Sequence, residues 1–293
     1  MTVGTVWDPN SAELCLRDLR HIVQEVSPQL LGIFEEYAAE ARFGRGLIED
    51  DLAGLPRGAR VLEVGAGSLM LSCILVRDGY AVTALEPVGS GFSHFTELQS
   101  IVVSYASQQG IMPTLLQVSG EDLEIQDHFD YAFSINVMEH VRDVALVLEK
   151  VRASLKPGTV YRFVCPNYAF PYEPHFNIPT LLSRSLTEKV MSRWIFESKN
   201  VVDPNGTWAS LNWISVGQVR RICRQQLQTE VEFNRATFKT FLGRTLSDRL
   251  FQARRGPLLR WVITALDRTG LLAAAALIPV AVQPIMDCRV LRA

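Results

Sequence analysis

The chain has 293 residues, 48% hydrophobic and 20% charged, with a formal net charge of −2. That much apolar material supports a substantial core and excludes a disordered chain, while the near-neutral balance lacks the basic face that nucleic-acid binding demands. Five scattered cysteines, Cys15, Cys73, Cys165, Cys223 and Cys288, read as buried free thiols of a reducing compartment, and no C-x-x-C pair or H-E-x-x-H pattern supports a metal site.

Asp8, Glu13 and Arg17 interrupt the start of the chain, so no signal peptide is expected there and the expected location is cytoplasmic. Apolar positions from Leu14 to Val26 and from Leu30 to Tyr37, broken at Ser27-Pro28, predict two or three helices, a cover over residues 1–55. Residues 56–166 then alternate. Strands are expected near 60–65, 81–86, 114–118, 130–135 and 159–165, with helices near 68–78, 92–108 and 143–154. Val144, Val147, Leu148, Val151 and Leu155 share one helical stripe, so that helix buries a face. Alternation at this spacing predicts an α/β, doubly wound, mostly parallel sheet with right-handed crossovers.

From Asn167 to Pro179 prolines and aromatics crowd together and no helix or strand period fits, so residues 167–214 read as a lid or substrate insert. Asn205-Gly206-Thr207 reads as a turn, and Trp194, Trp208 and Trp213 as a mixture of core and pocket residues. Regular structure is expected again at Ser215-Val216-Gly217-Gln218, a capping box that opens a helix to about Leu227. Thr229–Phe233 and Ile285–Leu291 alternate as strands, completing the sheet within residues 215–293. Arg244, Arg249, Arg254, Arg255 and Arg260 read as a solvated helix face. The apolar run 270–282, too short to cross a bilayer, reads as a buried helix followed by a loop; the alternative is peripheral membrane contact through residues 257–282.

The strand Val61–Val64 ends at Gly65-Ala66-Gly67, where missing Cβ atoms let the backbone turn sharply against a ligand. The next strand stops at Glu86, a spacing after the glycines that suits ribose recognition in a doubly wound sheet. A nucleoside pocket follows. Its third glycine is replaced by Met70, which disfavours a nicotinamide dinucleotide.

The E-x-G-x-G motif Glu63–Gly67, the Phe129–Asn136 strand, its Val137-Met138-Glu139-His140-Val141 continuation and the Lys156-Pro157-Gly158 turn together resemble the class I S-adenosylmethionine-dependent methyltransferases. The resemblance covers residues 60–167. It implies a Rossmann-like seven-stranded sheet with an antiparallel last strand, and S-adenosylmethionine as cofactor. Glu63, Gly65, Ala66 and Gly67 would serve its amino-acid end, Glu86 its ribose, and Pro87 and Val88 its adenine face. Ser119, Gly120 and Glu121 would meet the adenine edge, with Asp122 able to exchange roles with Glu121, and Asn136 would lie close by. Tyr37, Arg42 and Phe43 are expected either to reach the methionine end or, more commonly for such residues, to pack helices.

Methyl transfer is an in-line displacement, so the protein aligns the acceptor, excludes water and supplies a base only for a protonated acceptor. His140, His175 and Glu173 are the candidates for that base, an imidazole near neutral pKa being suited to a hydroxyl. The expected activity is methyl transfer to a small-molecule or lipid-like acceptor, at oxygen first. The aromatics of the insert either wall that acceptor or pack among themselves. A catalytically silent S-adenosylmethionine-binding interaction module is the alternative, and the oligomeric state is left open.

Overall fold

A computed structural model describes residues 9–87, 93–199, 201–248, 251–252 and 257–293. Among them seven strands form one sheet: β1 (Arg60–Val64), β2 (Ala81–Leu85), β3 (Thr114–Leu116), β4 (Tyr131–Ile135), β5 (Val160–Pro166), β6 (Val231–Phe233) and β7 (Ile285–Leu291). Their order is β3-β2-β1-β4-β5-β7-β6. β1 pairs in parallel with β2 and β4, β2 pairs in parallel with β3, and β6 runs antiparallel to β7. This is the expected doubly wound sheet with its antiparallel closing strand. The order reverses at β1 and β4, the switch point at which such sheets bind ligands beyond the carboxyl ends of their strands.

The chain folds into two compact units. The first comprises Met1–Ser134, Lys150–Tyr161 and Arg292–Ala293. Within it Val61, Leu62 and Val64 of β1 are all buried, whichever face they point to, as a parallel strand covered on both sides requires. Helices α1 (Pro9–Val26), α2 (Leu31–Leu47) and α3 (Glu49–Ala53) are the expected cover, with a 3-10 turn over Pro28–Leu30 at the predicted break. Arg42 of α2 forks onto Glu13 of α1 at 2.6 and 2.9 Å, so it braces two helices. Arg45 makes a buried ion pair at 2.9 Å with Asp78, just beyond α4 (Met70–Arg77). α4 starts at Met70 rather than 68 because Leu69 takes a left-handed conformation, with φ of 67°. α5 (Ser93–Gln109) follows and packs against α1.

The second unit comprises Ile135–Glu149 and Arg162–Leu291. At its start Asp143 caps α6 (Val144–Ser154) by accepting the amides of Ala145 and Leu146 at 2.9 and 3.1 Å. The predicted stripe of α6 is buried throughout.

The insert is more regular than expected. It holds α7 (Arg184–Phe196) and α8 (Pro204–Ser210), each started by a side chain: Ser183 accepts Leu186 N–H at 3.2 Å and Asp203 accepts Gly206 N–H at 2.9 Å. Asn205-Gly206-Thr207 is therefore helix, not turn. Both helices lie beyond the proline- and aromatic-rich stretch 167–179 and start where a cap is present. Trp194 stands exposed on α7, outside the core. Ser215 caps α9 (Val216–Gln225) through Gln218 N–H at 3.3 Å, as predicted.

α10 (Ala236–Ser247) carries Thr237, whose hydroxyl joins a buried ion pair in which Arg162 of β5 holds Asp287 of β7 at 2.9 and 2.6 Å. Arg244 is buried, bonded to Asp248 at 2.9 Å and lying over the Phe251 ring, so it is not part of a solvated face. Arg249, Arg254, Arg255 and Val88 lie outside the described residues.

After α11 (Pro257–Arg268) the expected buried helix over 270–282 is replaced by 3-10 turns at Leu271–Leu277 and Val280–Val282. Gly270, with φ of 74°, stops one end and Pro279 the other. Only Leu272 and Ala275 of the first turn are buried, three residues apart as a threefold period places them, while Leu271, Leu277, Ile278 and Val282 are exposed. No helix among the described residues is long and apolar enough to cross a membrane. All five cysteines are buried free thiols, as expected.

Candidate active site

The glycine loop of the first unit is pinned to the tip of β2. The amides of Gly65 and Ala66 both donate to the carbonyl of Leu85, at 2.8 and 3.1 Å. Gly65 and Gly67 have φ of 73° and 51°, which side chains rarely tolerate, so the glycines are conformational requirements. Glu86, one residue beyond β2, accepts the Gly67 amide on Oε2 at 2.7 Å, and its own amide donates to Leu116 at 3.0 Å. Gln99 of α5 closes the loop from outside by donating to the Gly67 carbonyl at 2.8 Å. Pro87 follows, half-buried.

Two acids share this region. Glu63 is buried and accepts a hydrogen bond from the Ser72 hydroxyl of α4. Burial pushes its carboxyl up to about 8; the Ser72 bond offsets part of the rise and the charge of Glu86 adds to it. Glu86 is also raised by burial, against the pull of the Gly67 amide. The structure thus directs Glu63 onto Ser72, tying β1 to α4. Ser119-Gly120-Glu121 follows β3: Ser119 bonds Asp122 at 2.5 Å, Gly120–Asp122 form a 3-10 turn, and Glu121 is buried.

In the second unit, the turn after β4 starts at Asn136, which is left-handed at φ of 55° and donates its amide to Val164 at 2.8 Å. Asn212 then grips that turn. Its side-chain nitrogen donates to the carbonyls of Met138 and Val141 at 2.7 and 2.8 Å, and its amide donates to that of Glu139 at 2.8 Å.

The turn carries Glu139 and His140, and the insert brings His175 and Glu173. The His140 and His175 rings meet edge to face at 5.2 Å. Glu173 is fully buried: it lies 2.5 Å from His175 Nδ1, accepts the Tyr168 hydroxyl at 3.1 Å and accepts the Phe176 amide at 2.7 Å. Burial alone would raise Glu173, but the bond and charge of His175, with the backbone amides of Phe176 and His175, more than reverse this and hold it below the usual carboxylate range. His140 Nδ1 lies 2.8 Å from Ser210 Oγ, and burial, with the charge of His175, lowers its imidazole to about 3. The expected near-neutral imidazole is therefore not found at His140.

Beside them Tyr168 stacks on Trp213 at 5.6 Å, and Phe176 and Trp213 both meet Trp208 edge to face at 5.8 and 6.3 Å. These aromatics pack on one another.

Glu139, Gln99 and Asn212 carry no role in the sequence reading. An acid inside the apolar run Val137-Met138-Glu139 was a usable signal, because a carboxylate in such a setting needs a partner. Gln99 and Asn212 act through folded geometry and leave no pattern.

The methyltransferase domain family matches residues 35–213. An uncharacterised protein of Mycobacterium tuberculosis is 42% identical over 277 residues, spanning 94% of this chain and 92% of its own. A ubiquinone biosynthesis O-methyltransferase of Paramagnetospirillum magneticum is 32% identical over 121 residues, 41% of this chain and 45% of its own. Among solved structures, phosphoethanolamine N-methyltransferase 2 of Haemonchus contortus, in complex with phosphomonomethylethanolamine and S-adenosylhomocysteine, shares the fold with a TM-score of 0.53 at 15% identity. That likeness covers 94% of this chain and 60% of the other.

Proposed function

The chain belongs to the methyltransferase domain family, as a class I S-adenosylmethionine-dependent enzyme, and on that footing we propose that it methylates an oxygen of a small-molecule or lipid-like acceptor. The observation that carries the reading is the bond between Glu86 and the Gly67 amide, which sets an acid and a glycine bend at neighbouring strand tips. S-adenosylmethionine, when bound, supplies the methyl group on its sulfonium.

The residues present fit that ligand. Glu86 accepts from the ribose hydroxyls, and Gly65, Ala66 and Gly67 admit the amino-acid end because φ values of 73° and 51° at the glycines leave backbone where a side chain would stand. Glu63, whose carboxyl is pushed up to about 8 by burial, supports the loop through Ser72 as a neutral hydrogen-bonding group. Pro87 packs on the adenine, and Ser119, Gly120 and Glu121 border its edge. Asn136 shapes the turn after β4.

On the acceptor side, His175 takes the hydroxyl proton, with Glu173 fixing its ring and stabilising the cation that forms, as the carboxylate of an acid–base pair does. His140, depressed to about 3, stays neutral and orients. Oxygen as the acceptor atom is favoured by the likeness to the ubiquinone biosynthesis O-methyltransferase, although that covers only 41% of this chain. Exposed Trp261, Leu271, Leu277 and Val282 support peripheral contact of residues 257–282 with a membrane that holds a lipid-like acceptor.

The decisive experiment incubates the protein with labelled S-adenosylmethionine and cell extract and identifies the labelled product by mass spectrometry. An O-methylated small molecule or lipid is expected. Label on nitrogen or carbon would overturn the acceptor assignment, and cofactor binding without any transfer would favour a silent interaction module.

A further inference from the structure

Glu139, His140 and His175 bring one carboxylate oxygen and two imidazole nitrogens to within 4.8 Å of one another. The hydrogen bonds around the rings decide what those nitrogens offer. Ser210 Oγ donates its proton to the Thr207 carbonyl at 2.8 Å, so it meets His140 as an acceptor and Nδ1 of His140 carries the hydrogen. That tautomer places the ring's lone pair on Nε2, the atom 4.0 Å from Glu139 Oε1. His175 is braced the same way, its Nδ1 donating to the buried carboxylate of Glu173 at 2.5 Å. An imidazole held at one nitrogen by an oxygen acceptor and directed by the other is how proteins prepare histidine for a metal.

The carboxylate is the second, independent sign. The Glu139 side chain is 0% exposed, and neither of its oxygens has a hydrogen-bond partner. Burying a carboxylate without a hydrogen bond is strongly unfavourable, and His140, with its hydrogen on Nδ1, offers Glu139 a lone pair rather than a donor. A cation satisfies all three at once.

We propose that Glu139, His140 and His175 ligate a divalent transition-metal cation, with zinc as the reference ion, and that Glu173 and Ser210 orient the two histidines. Two imidazoles and one carboxylate suit zinc, cobalt or ferrous iron rather than magnesium or calcium, which favour oxygen throughout. Around tetrahedral zinc the ligand atoms stand about 3.3 Å apart. The 4.0 Å gap between His140 and Glu139 therefore closes by small side-chain rotations, which the unpinned Glu139 carboxylate permits. Three protein ligands leave a fourth position for water or an acceptor oxygen, and a cation there would acidify a bound hydroxyl, the task assigned above to His175 in the cation-free protein.

The test uses untagged full-length protein stripped with a chelator. Zinc affinity is measured by competition with a chromophoric chelator, and cobalt is added separately to read the visible absorption of the bound ion. One equivalent per chain is expected, with a cobalt spectrum of nitrogen and oxygen ligands and no thiolate charge-transfer band. Glu139→Gln and His175→Asn should each weaken zinc by at least about tenfold, and Glu173→Gln by about ten- to 100-fold, with circular dichroism verifying the fold.

Wild-type protein that takes up less than one equivalent, or gives a thiolate band, overturns the site. So does a folded Glu139→Gln variant with unchanged affinity. Because none of these measurements involves S-adenosylmethionine, their failure leaves the methyl-transfer reading intact, with the His175–Glu173 pair as its base.

Discussion

Glu86 Oε2 accepts the amide of Gly67 at 2.7 Å, although 19 residues separate them, so the acid at the tip of β2 and the bend after β1 are one unit of structure. Removing the carboxylate takes away the proposed ribose acceptor and the bond to the Gly67 amide together. Glu86→Ala is expected to weaken S-adenosylmethionine binding at least about tenfold, roughly 1.4 kcal/mol, with the fold kept. Gly67→Leu does the same by forcing a side chain onto φ of 51°. Calorimetry checks both, and unchanged affinity in Glu86→Ala would remove Glu86 from the ribose.

Glu63 makes stability depend on pH in a definite direction. Its folded pKa, raised by burial to about 8 from 4.5, means that the folded protein holds this proton more tightly than the unfolded chain. The stabilisation is therefore complete below about 4.5 and is lost as pH rises toward 8. Glu63→Gln should abolish that loss. The difference in melting temperature between variant and wild type should widen in favour of the variant across this window, and a flat difference would show that the folded carboxyl is ionised.

Asn212 is the clamp on the Glu139–His140 turn. Asn212→Ala deprives the Met138 and Val141 carbonyls of their donor, at a cost of about 1–3 kcal/mol in denaturant unfolding. Asn212→Asp should cost more, because it sets an acceptor against two acceptors. Equal stability of all three proteins would show that the turn holds itself.

His175→Gln should lower turnover far more than it weakens S-adenosylmethionine binding, and Glu173→Gln should follow with a smaller loss of turnover, since it acts through the ring it orients. Steady-state kinetics beside cofactor calorimetry separates the two effects. An equal loss in both would assign the pair to architecture instead of proton transfer.

Residues 257–282 expose Trp261 at 69%, Leu277 at 77% and Val282 at 56%. Co-sedimentation with anionic vesicles is expected, and Trp261→Glu together with Leu277→Glu should reduce it severalfold without changing the melting temperature. Wild-type protein that stays in the supernatant would withdraw the membrane contact.

Much of the first unit is legible in the chain because its signals are local. Strand, glycine bend, helix and acid succeed one another within residues 60–86, and each step follows from hydrophobic period and backbone stereochemistry. The insert is different: α7 and α8 start at the caps Ser183 and Asp203, single-residue signals that follow the irregular stretch 167–179. The run 270–282 misleads for the opposite reason. Its composition favours a helix, but between Gly270 and Val282 the chain takes 3-10 turns that leave most of its apolar side chains exposed.

The amino-acid order by itself determined the alternating strands and helices, the bend at Gly65–Gly67 and the placing of Glu86, because these follow from interactions among residues close along the chain. Only the tertiary structure decided that Glu63 turns to Ser72, that Gln99 closes the loop, that Arg244 is buried and that Glu139, His140, Glu173 and His175 meet. Those contacts join side chains as many as 36 residues apart, from Glu139 to His175, and no periodicity encodes such distances. Hydrogen bonding and burial select them once the backbone has closed.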